Sequence, residues 1–271
     1  MKNSVSAPLY ENDIKAGLLN HLRNLKLLSK DATIINEFTV SNYERRVDIA
    51  IFQKNTSTAY EVKSDYDTLH RLDGQLNTYL EYFDKVVVVT TRKHIAKVLK
   101  QCPMGVAVWE INNNKIIIKQ RGKKLIKKQN KKLLEMLTAR ELSKLCTMLN
   151  IPKEDYTRAH FEHLLMDAPL STLKNAALHF ISIRYEKSSS HFWNKVKNKI
   201  IEPNDIDYLS PYKQERAIIM KNERKSQKFW AGLASNLGLS AEDPYLAALY
   251  NSEGPEIFGP VPTDITKLLN A

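Results

Sequence analysis

The sequence predicts an α/β protein in which a mixed β-sheet is flanked by helices and is followed by an all-α region. Up to residue 120, short runs rich in β-branched and aromatic residues alternate with amphipathic segments, which is typical of strands and helices packed in layers. The run 86–90 is continuously apolar, as in a strand covered on both faces. After residue 120 only helical periodicity remains. The predicted domains are therefore 1–120 and 121–271.

Each element of the first domain has its own pattern. Helical segments carry leucine or another apolar residue at every third or fourth position, and strand segments are rich in Ile, Val, Thr, Tyr and Phe. In chain order, we predict a helix over 10–28, strands over 33–40, 46–52 and 58–64, a helix over 66–83, a strand over 86–90, a helix over 93–101, and strands over 105–111 and 115–119.

The second domain is predicted to consist of helices. A basic helix covers 123–137, and Thr138 followed by Glu141 forms a capping box that starts the next helix. Prolines punctuate the later helices. An irregular arm is expected over 251–263, where Gly and Pro are frequent.

The positive charge is concentrated in one segment. The chain has a net charge of +11, and residues 115–134 contain nine Lys or Arg and no acid. Such a block suits the phosphates of a nucleic acid, although a solvated helix face or linker stays open. The candidate phosphate contacts are Lys119, Arg121, Lys123, Lys124, Lys127 and Lys128.

The remaining composition favours a cytoplasmic protein. Only Cys102 and Cys146 are present, too few for a disulfide framework and compatible with a reducing compartment. No apolar run approaches the ~20 residues of a membrane span, and the N-terminus lacks an apolar signal core.

The segment 46–64 brings acidic residues together. A turn near residue 54 would place Asp48 opposite Glu61, and Lys63 shares a strand face with Glu61 because side chains alternate along a strand. Carboxylate oxygens suit Mg²⁺ or Mn²⁺, and the Val62 carbonyl is a further candidate ligand. Lys63 could orient water or offset developing charge. The alternatives are an ion pair of Asp48 with a neighbouring Arg and an ordinary pair between Glu61 and Lys63.

These residues resemble the PD-(D/E)XK nuclease superfamily, with Asp48 as the motif's Asp and Glu61-Val62-Lys63 as its (D/E)XK. The sequence is similar to an uncharacterised bacterial group that has the same Glu-x-Lys-Ser-Asp, Arg-Leu and Gln run. Val47 stands where the motif's Pro would be. The resemblance spans about 110 residues and implies a restriction-endonuclease-like core.

The resemblance also suggests roles for residues outside the motif. It implies that Gln75 steadies Lys63 or a phosphate and that Glu11, on the first helix, completes the site. Their alternatives are a plain surface position and a helix N-terminal charge. Arg71 could contact substrate or pair along its helix.

Together these patterns predict a metal-dependent nuclease, acting on DNA in the first hypothesis. A catalytically inactive nucleic-acid-binding module is the second hypothesis. A regulatory or interaction protein that uses its helical half is the third. A homodimer is implied only by the resemblance, and no membrane partner is expected.

Overall fold

A computed structural model describes residues 7–29, 31–41, 44–112, 115–124 and 129–210. In chain order the elements are α1 (Glu11–Asn24), β1 (Thr33–Val40), β2 (Arg45–Gln53), β3 (Thr56–Lys63), α2 (Leu72–Tyr82), β4 (Lys85–Thr91), α3 (Ile95–Gln101), β5 (Ala107–Asn112), β6 (Lys115–Gln120), α4 (Asn130–Glu135), α5 (Ala139–Met148), α6 (Arg158–Leu165), α7 (Leu170–Val196) and a 3-10 helix (Pro203–Leu209). The expected α/β architecture with a helical C-terminal part is confirmed for this part of the chain. The irregular arm predicted over 251–263 lies outside the described residues.

The six strands form one mixed sheet in sequence order, from β1 to β6. β1, β2 and β3 pair antiparallel, β3, β4 and β5 pair parallel, and β6 returns antiparallel to β5. The two parallel connections run through α2 and α3, as crossover connections between parallel strands require. The ends of β3 and β4 that carry their C-terminal residues therefore lie at the same edge of the sheet.

Two hydrophobic cores cover the two faces of the sheet. One is built from α1, alternate residues of the central strands and the end of α7. The other is built from α2, α3, the opposite strand residues and the middle of α7. Burial of these apolar side chains on both faces supplies the main stabilising term of the fold. We call them the α1 face and the α2 face.

Helix α7 closes the free edge of β1. The Ser189 hydroxyl receives the Ile34 N–H (3.2 Å) and donates to the Ala32 carbonyl (3.2 Å). The Thr33 hydroxyl donates to Ser182 (3.1 Å). These bonds satisfy polar groups of an edge strand that would otherwise be available for pairing with another chain.

A third apolar cluster joins α4, α5, α6 and the start of α7. The Thr138 capping box is confirmed, because the Thr138 hydroxyl accepts from the Glu141 N–H (3.3 Å) and the Glu141 carboxylate accepts from the Thr138 N–H (2.8 Å). Residues 7–210 lie within one compact unit. The predicted domain division at residue 120 stays a prediction.

Four helices are shorter than predicted, and those expected over 10–28 and 93–101 are Glu11–Asn24 and Ile95–Gln101. The helix expected from residue 66 begins at Leu72, because the Ser64 N–H and hydroxyl both donate to the Asp67 carboxylate and hold a turn there (2.8 and 2.5 Å). The helix expected over 123–137 is Asn130–Glu135; residues 123 and 124 are not helical, and 125–128 lie outside the described residues.

No helix in the described ranges combines the length and apolar character needed to cross a bilayer.

Candidate functional site

The β2–β3 hairpin places Asp48 beside Glu61. Ile49 pairs with Tyr60, so one further step along the antiparallel register sets Asp48 opposite Glu61. The Asp48 carboxylate accepts a hydrogen bond from the Val62 N–H (2.6 Å). It also interacts electrostatically with Glu61. The predicted approach of the two carboxylates is present in the structure.

Lys63 joins this pair from the same strand as Glu61. Its ammonium lies 2.5 Å from Glu61 Oε1 and donates to Gln75 Oε1 at 3.1 Å. Glu61 and Lys63 are both buried, so their ion pair is screened far less than a surface pair would be. Gln75, on α2, contacts Lys63 as the resemblance implied.

A local change of strand geometry directs Asp48 into the site. Ile49 packs on the α1 face while Val47 packs on the α2 face, although residues two apart on a regular strand share a face. Opposite them in β1, Asn36 faces α1 and Phe38 faces α2. Glu37 between them has a left-handed φ of 62°. The switch of faces at Glu37 leaves Asp48 at the boundary between the two layers.

Helix α1 contributes a second ammonium that the sequence did not reveal. Lys15 is buried, donates to Asn36 Oδ1 (2.8 Å) and forms an ion pair with Glu11 one helical turn earlier. Lys15 also interacts electrostatically with Asp48. Glu11 is thus brought to the site through Lys15. The nearby Asp13 accepts the Tyr10 N–H at the start of α1 (2.8 Å).

The two carboxylates perturb each other. Burial and the neighbouring Glu61 charge raise the pKa of Asp48 well above its ordinary value, and Lys15 and the Val62 N–H only partly oppose this. Burial also raises the pKa of Glu61, against the attraction of Lys63. Both side chains therefore gain from any additional positive charge placed between them.

The donor set suits a hard divalent cation in part. Glu61 Oε2 is buried and makes no close hydrogen bond among the described residues, which is costly unless a cation or water satisfies it. The Tyr79 hydroxyl interacts with the Glu61 carboxylate, but it donates its proton to the Arg46 carbonyl (2.7 Å). Mg²⁺ is commonly held by one or two carboxylates together with waters and substrate phosphate. Within the same residues, however, no cluster of three or more His, Cys, Asp or Glu side chains is suited to a metal. The role of the Val62 carbonyl stays a prediction.

Residues predicted to contact nucleic acid are spread over several surfaces. Arg71 is exposed and immediately precedes α2. Lys119 pairs with Glu110 (2.8 Å), which reduces its availability for phosphate. Arg121, Lys123 and Lys124 are exposed. Lys127 and Lys128 lie outside the described residues.

Three site residues were missed, and each has a reason. Tyr79 interacts electrostatically with Glu61 and Asp48, but an aromatic residue on the apolar stripe of α2 indicates only core packing. Lys15 occupies a position on the buried side of α1, where helical periodicity identifies apolar residues and gives a single Lys no weight. Asn36 is one polar residue in an apolar strand. A Lys four residues after Glu11 was the available signal, because such a spacing indicates an ion pair.

Comparison with known proteins identifies relatives of this chain. The family described as Bacteriophage P4 protein cII matches residues 4–210. Protein cII of Enterobacteria phage P4 is 33% identical over 224 residues, which cover 80% of this chain and 84% of the relative. Among solved structures, the SPO1766 protein of unknown function from Silicibacter pomeroyi is 18% identical, with a TM-score of 0.36 over 54% of this chain and 96% of that one.

Proposed function

We propose that this chain, which belongs to the Bacteriophage P4 protein cII family, is a divalent-metal-dependent nuclease with a restriction-endonuclease-like core. Asp48, Glu61 and Lys63 form its catalytic centre, Gln75 and Glu11 support that centre, and DNA is its substrate. The PD-(D/E)XK resemblance of the sequence and the geometry of these side chains motivate the proposal.

The observation that carries the proposal is the buried Glu61 carboxylate. One of its oxygens is paired with Lys63 and the other makes no close hydrogen bond among the described residues, while Asp48 stands beside it with a raised pKa. Two adjacent carboxylates that are costly to ionise together are rarely kept for stability alone. A cation bound between the two carboxylates would offset the cost of ionising both.

Asp48 and Glu61 would hold Mg²⁺ or Mn²⁺, and a bound ion of this kind would polarise the scissile phosphate and acidify a coordinated water. Lys63 would donate a hydrogen bond to the attacking water or to a phosphate oxygen and offset charge that develops there. Gln75 would hold the Lys63 ammonium in place through its 3.1 Å contact. Lys15 would supply a positive charge on the α1 side of Asp48, and Glu11 would orient the Lys15 ammonium through their ion pair.

The substrate assignment follows from charge. Arg121, Lys123 and Lys124 are exposed and form no ion pair within the part of the chain that the structure describes. Such cations bind backbone phosphates with little sequence preference. Exposed Arg71, one turn before Gln75, would contact a phosphate closer to the centre.

Cleavage of plasmid DNA, oligonucleotides and RNA in Mg²⁺ or Mn²⁺ tests the proposal. We expect Asp48→Asn and Glu61→Gln to abolish cleavage because each removes a ligand charge. Lys63→Met should lower the rate by ~10²–10⁴, the usual cost of losing an electrostatic or proton-transfer partner. Gel-shift binding of DNA should survive in Lys63→Met, because the exposed cations supply that affinity.

Two exposed residues provide matched controls for these changes. Asp73→Asn and Lys97→Met remove the same charges from the surfaces of α2 and α3 and should leave cleavage unchanged. Equal cleavage by wild type and Lys63→Met would place the active centre elsewhere. Wild type that binds DNA and cleaves none of these substrates would refute the nuclease proposal.

A specific observation favours a second candidate, a nucleic-acid-binding module that does not cut. The Lys63 ammonium is engaged by Glu61 and Gln75, and the described residues include no cluster of three metal-binding side chains. If Lys63 stays bound to Glu61 and Gln75 and no metal binds, the protein would bind DNA through its surface cations alone. Binding without cleavage in either metal is the result expected for it.

A further inference from the structure

A cavity on the α1 face lies on the side of the sheet opposite the Glu61 carboxylate. Its volume is about 520 Å³, within the range of ligand-binding clefts. It is lined by Thr56, Thr58 and Tyr60 of β3, whereas the Glu61 side chain faces α2. Because side chains alternate along a strand, the cavity and the Glu61 carboxylate lie on opposite faces of the sheet, although Tyr60 and Glu61 are neighbours in the chain.

The wall of the cavity is apolar and aromatic. Tyr60 and Trp109 line it with their rings edge to face, 5.9 Å between centroids. Leu22 and Leu28 complete this apolar surface. The Tyr60 hydroxyl makes no hydrogen bond to the described residues, and burial raises its pKa, so it is a neutral donor. A planar ring would gain both apolar contact and edge-to-face packing here.

The rim of the cavity is cationic. None of the described residues that line the cavity is acidic. Four exposed cations border it, and none of them forms an ion pair within the described ranges. They are Lys54, Lys85, Arg121 and Lys123. Four charges exceed what a single carboxylate would neutralise, and they suit the multiple negative charges of phosphate.

Two of these cations are held in place by backbone contacts. The Lys123 N–H donates to the Gly105 carbonyl (2.9 Å). A Cβ at Gly122 would lie 2.9 Å from both the Ala107 nitrogen and the Gly105 oxygen, so only glycine permits this close approach to β5 without a shift. The segment that carries Arg121 and Lys123 is thus fixed at the cavity edge.

We infer that this cavity binds a nucleotide unit, with the base against Tyr60 and Trp109 and the phosphate on the rim formed by Lys54, Lys85, Arg121 and Lys123. The unit comes either from a free nucleotide or from an unpaired nucleotide of a strand. The inference goes beyond the proposed cleavage site, with which it shares no residue of the Asp48 and Glu61 centre. It shares Arg121 and Lys123 with the proposed DNA contacts, but nucleotide binding is measured without metal and without cleavage, so the two proposals can fail separately.

Fluorescence of Trp109 provides the test. Trp193→Phe and Trp230→Phe remove the other two tryptophans of the chain. We expect saturable quenching of the remaining Trp109 by thymidine 5′-monophosphate or by a ten-nucleotide oligothymidylate. Quenching by the mononucleotide identifies a free-nucleotide site, and quenching by the oligonucleotide alone identifies a strand site. If the variant that keeps only Trp109 fails to fold, calorimetry on the unaltered chain with the same ligands measures the binding instead.

A matched pair of double variants tests the position of the site. Arg121→Ala with Lys123→Ala should weaken binding about tenfold or more, because two phosphate contacts are lost. Arg140→Ala with Lys144→Ala removes the same charges from exposed positions on α5 and should have no effect. Equal weakening by both pairs, equal affinity for inorganic phosphate alone, or no saturable binding of either ligand would overturn the inference.

Discussion

At the residue scale, the surroundings of Asp48 favour its protonated form, whereas metal binding requires its ionised form. Its carboxylate lies beside Glu61 and is desolvated, which raises its pKa, yet ligation of a cation requires the ionised form. A folded-state pKa above the unfolded value means that the native state binds more protons. The contribution of Asp48 to stability is therefore greatest below the ordinary aspartate range and declines as the pH rises through the raised pKa.

Asp48→Asn should consequently stabilise the metal-free protein at neutral pH. The amide keeps an acceptor for the Val62 N–H and removes the repulsion from Glu61, and we expect a gain of about 1 kcal/mol, typical of changes that relieve a functional site. Thermal unfolding in EDTA between pH 5 and pH 8 measures this. The gain should shrink at the acid end, where wild-type Asp48 takes up its proton.

The exposed carboxylate of Asp73 supplies the comparison for this measurement. Asp73→Asn should change the unfolding temperature little at either pH, because an exposed charge contributes little to stability. If Asp48→Asn were destabilising at pH 8, or if its effect were equal at both pH values, repulsion between the Asp48 and Glu61 carboxylates would not lower the stability of the metal-free protein.

The sequence predicted part of this site. The turn after β2 and the two-residue period of strands predicted that Asp48, Glu61 and Lys63 come together, because both rules act locally. Lys15 reaches Asp48 across the layer between α1 and the sheet, and no local pattern encodes that contact. The left-handed φ of Glu37 was equally hidden, since Gly, Asn or Asp usually signals such a position.

At the element scale, strand limits were predicted more closely than helix limits. β1 was predicted with the bounds observed, Thr33–Val40, because polar residues flank its apolar and β-branched run in the sequence. The start of α2 was predicted six residues early, since the leucine stripe continues into a turn held by Ser64 and Asp67. Side-chain bonds to the backbone overrode helical periodicity there.

The capping box of α5 allows a quantitative prediction. Thr138→Ala removes the acceptor for the Glu141 N–H and should lower the free energy of unfolding by about 1 kcal/mol. Chemical denaturation measures the loss. Glu141 also pairs with Arg184 of α7, so the helix should remain docked and the denaturant slope should not change.

Thr147, near the end of the same helix, serves as the control for the cap. Its side chain is exposed, and its hydroxyl donates to the Ser143 carbonyl (3.1 Å) and accepts from Lys153 (2.6 Å). Because water can replace such exposed bonds, Thr147→Ala should change stability by no more than about 0.5 kcal/mol. Equal losses in the two variants would mean that the Thr138 bonds contribute no more than an ordinary surface threonine.

At the scale of the whole molecule, α7 could not be placed from the sequence. Its middle packs on the α2 face through Ile181 and Tyr185, and its end packs on the α1 face through Phe192 and Val196. A helix that crosses a sheet edge contacts two cores in turn, so its apolar residues follow no single stripe. Its placement depends on contacts more than 140 residues apart, such as Thr33 with Ser182.

The distribution of charge over the whole molecule should determine the salt dependence of DNA binding. Within the basic segment, Lys119 and Lys132 pair with Glu110 and Glu81 and release few counterions. The remaining lysines should dominate binding. We expect a variant with four of them changed to Ala to weaken binding and to flatten the slope of log K against log salt by as much as about 3 to 4 for duplex DNA, since each lost phosphate contact removes ~0.9. The four are Lys123, Lys124, Lys127 and Lys128.

A variant with the same change of net charge separates local contact from overall charge in this salt titration. It replaces exposed lysines on α3, α5 and α7 with Ala, namely Lys97, Lys100, Lys144 and Lys187. Screened charges beyond the Debye length of ~10 Å contribute little to binding, so its slope should stay close to that of wild type. If both quadruple variants flatten the slope equally, DNA senses only the net charge. If neither does, the basic segment is a solvated surface and the phosphate contacts are made by other residues.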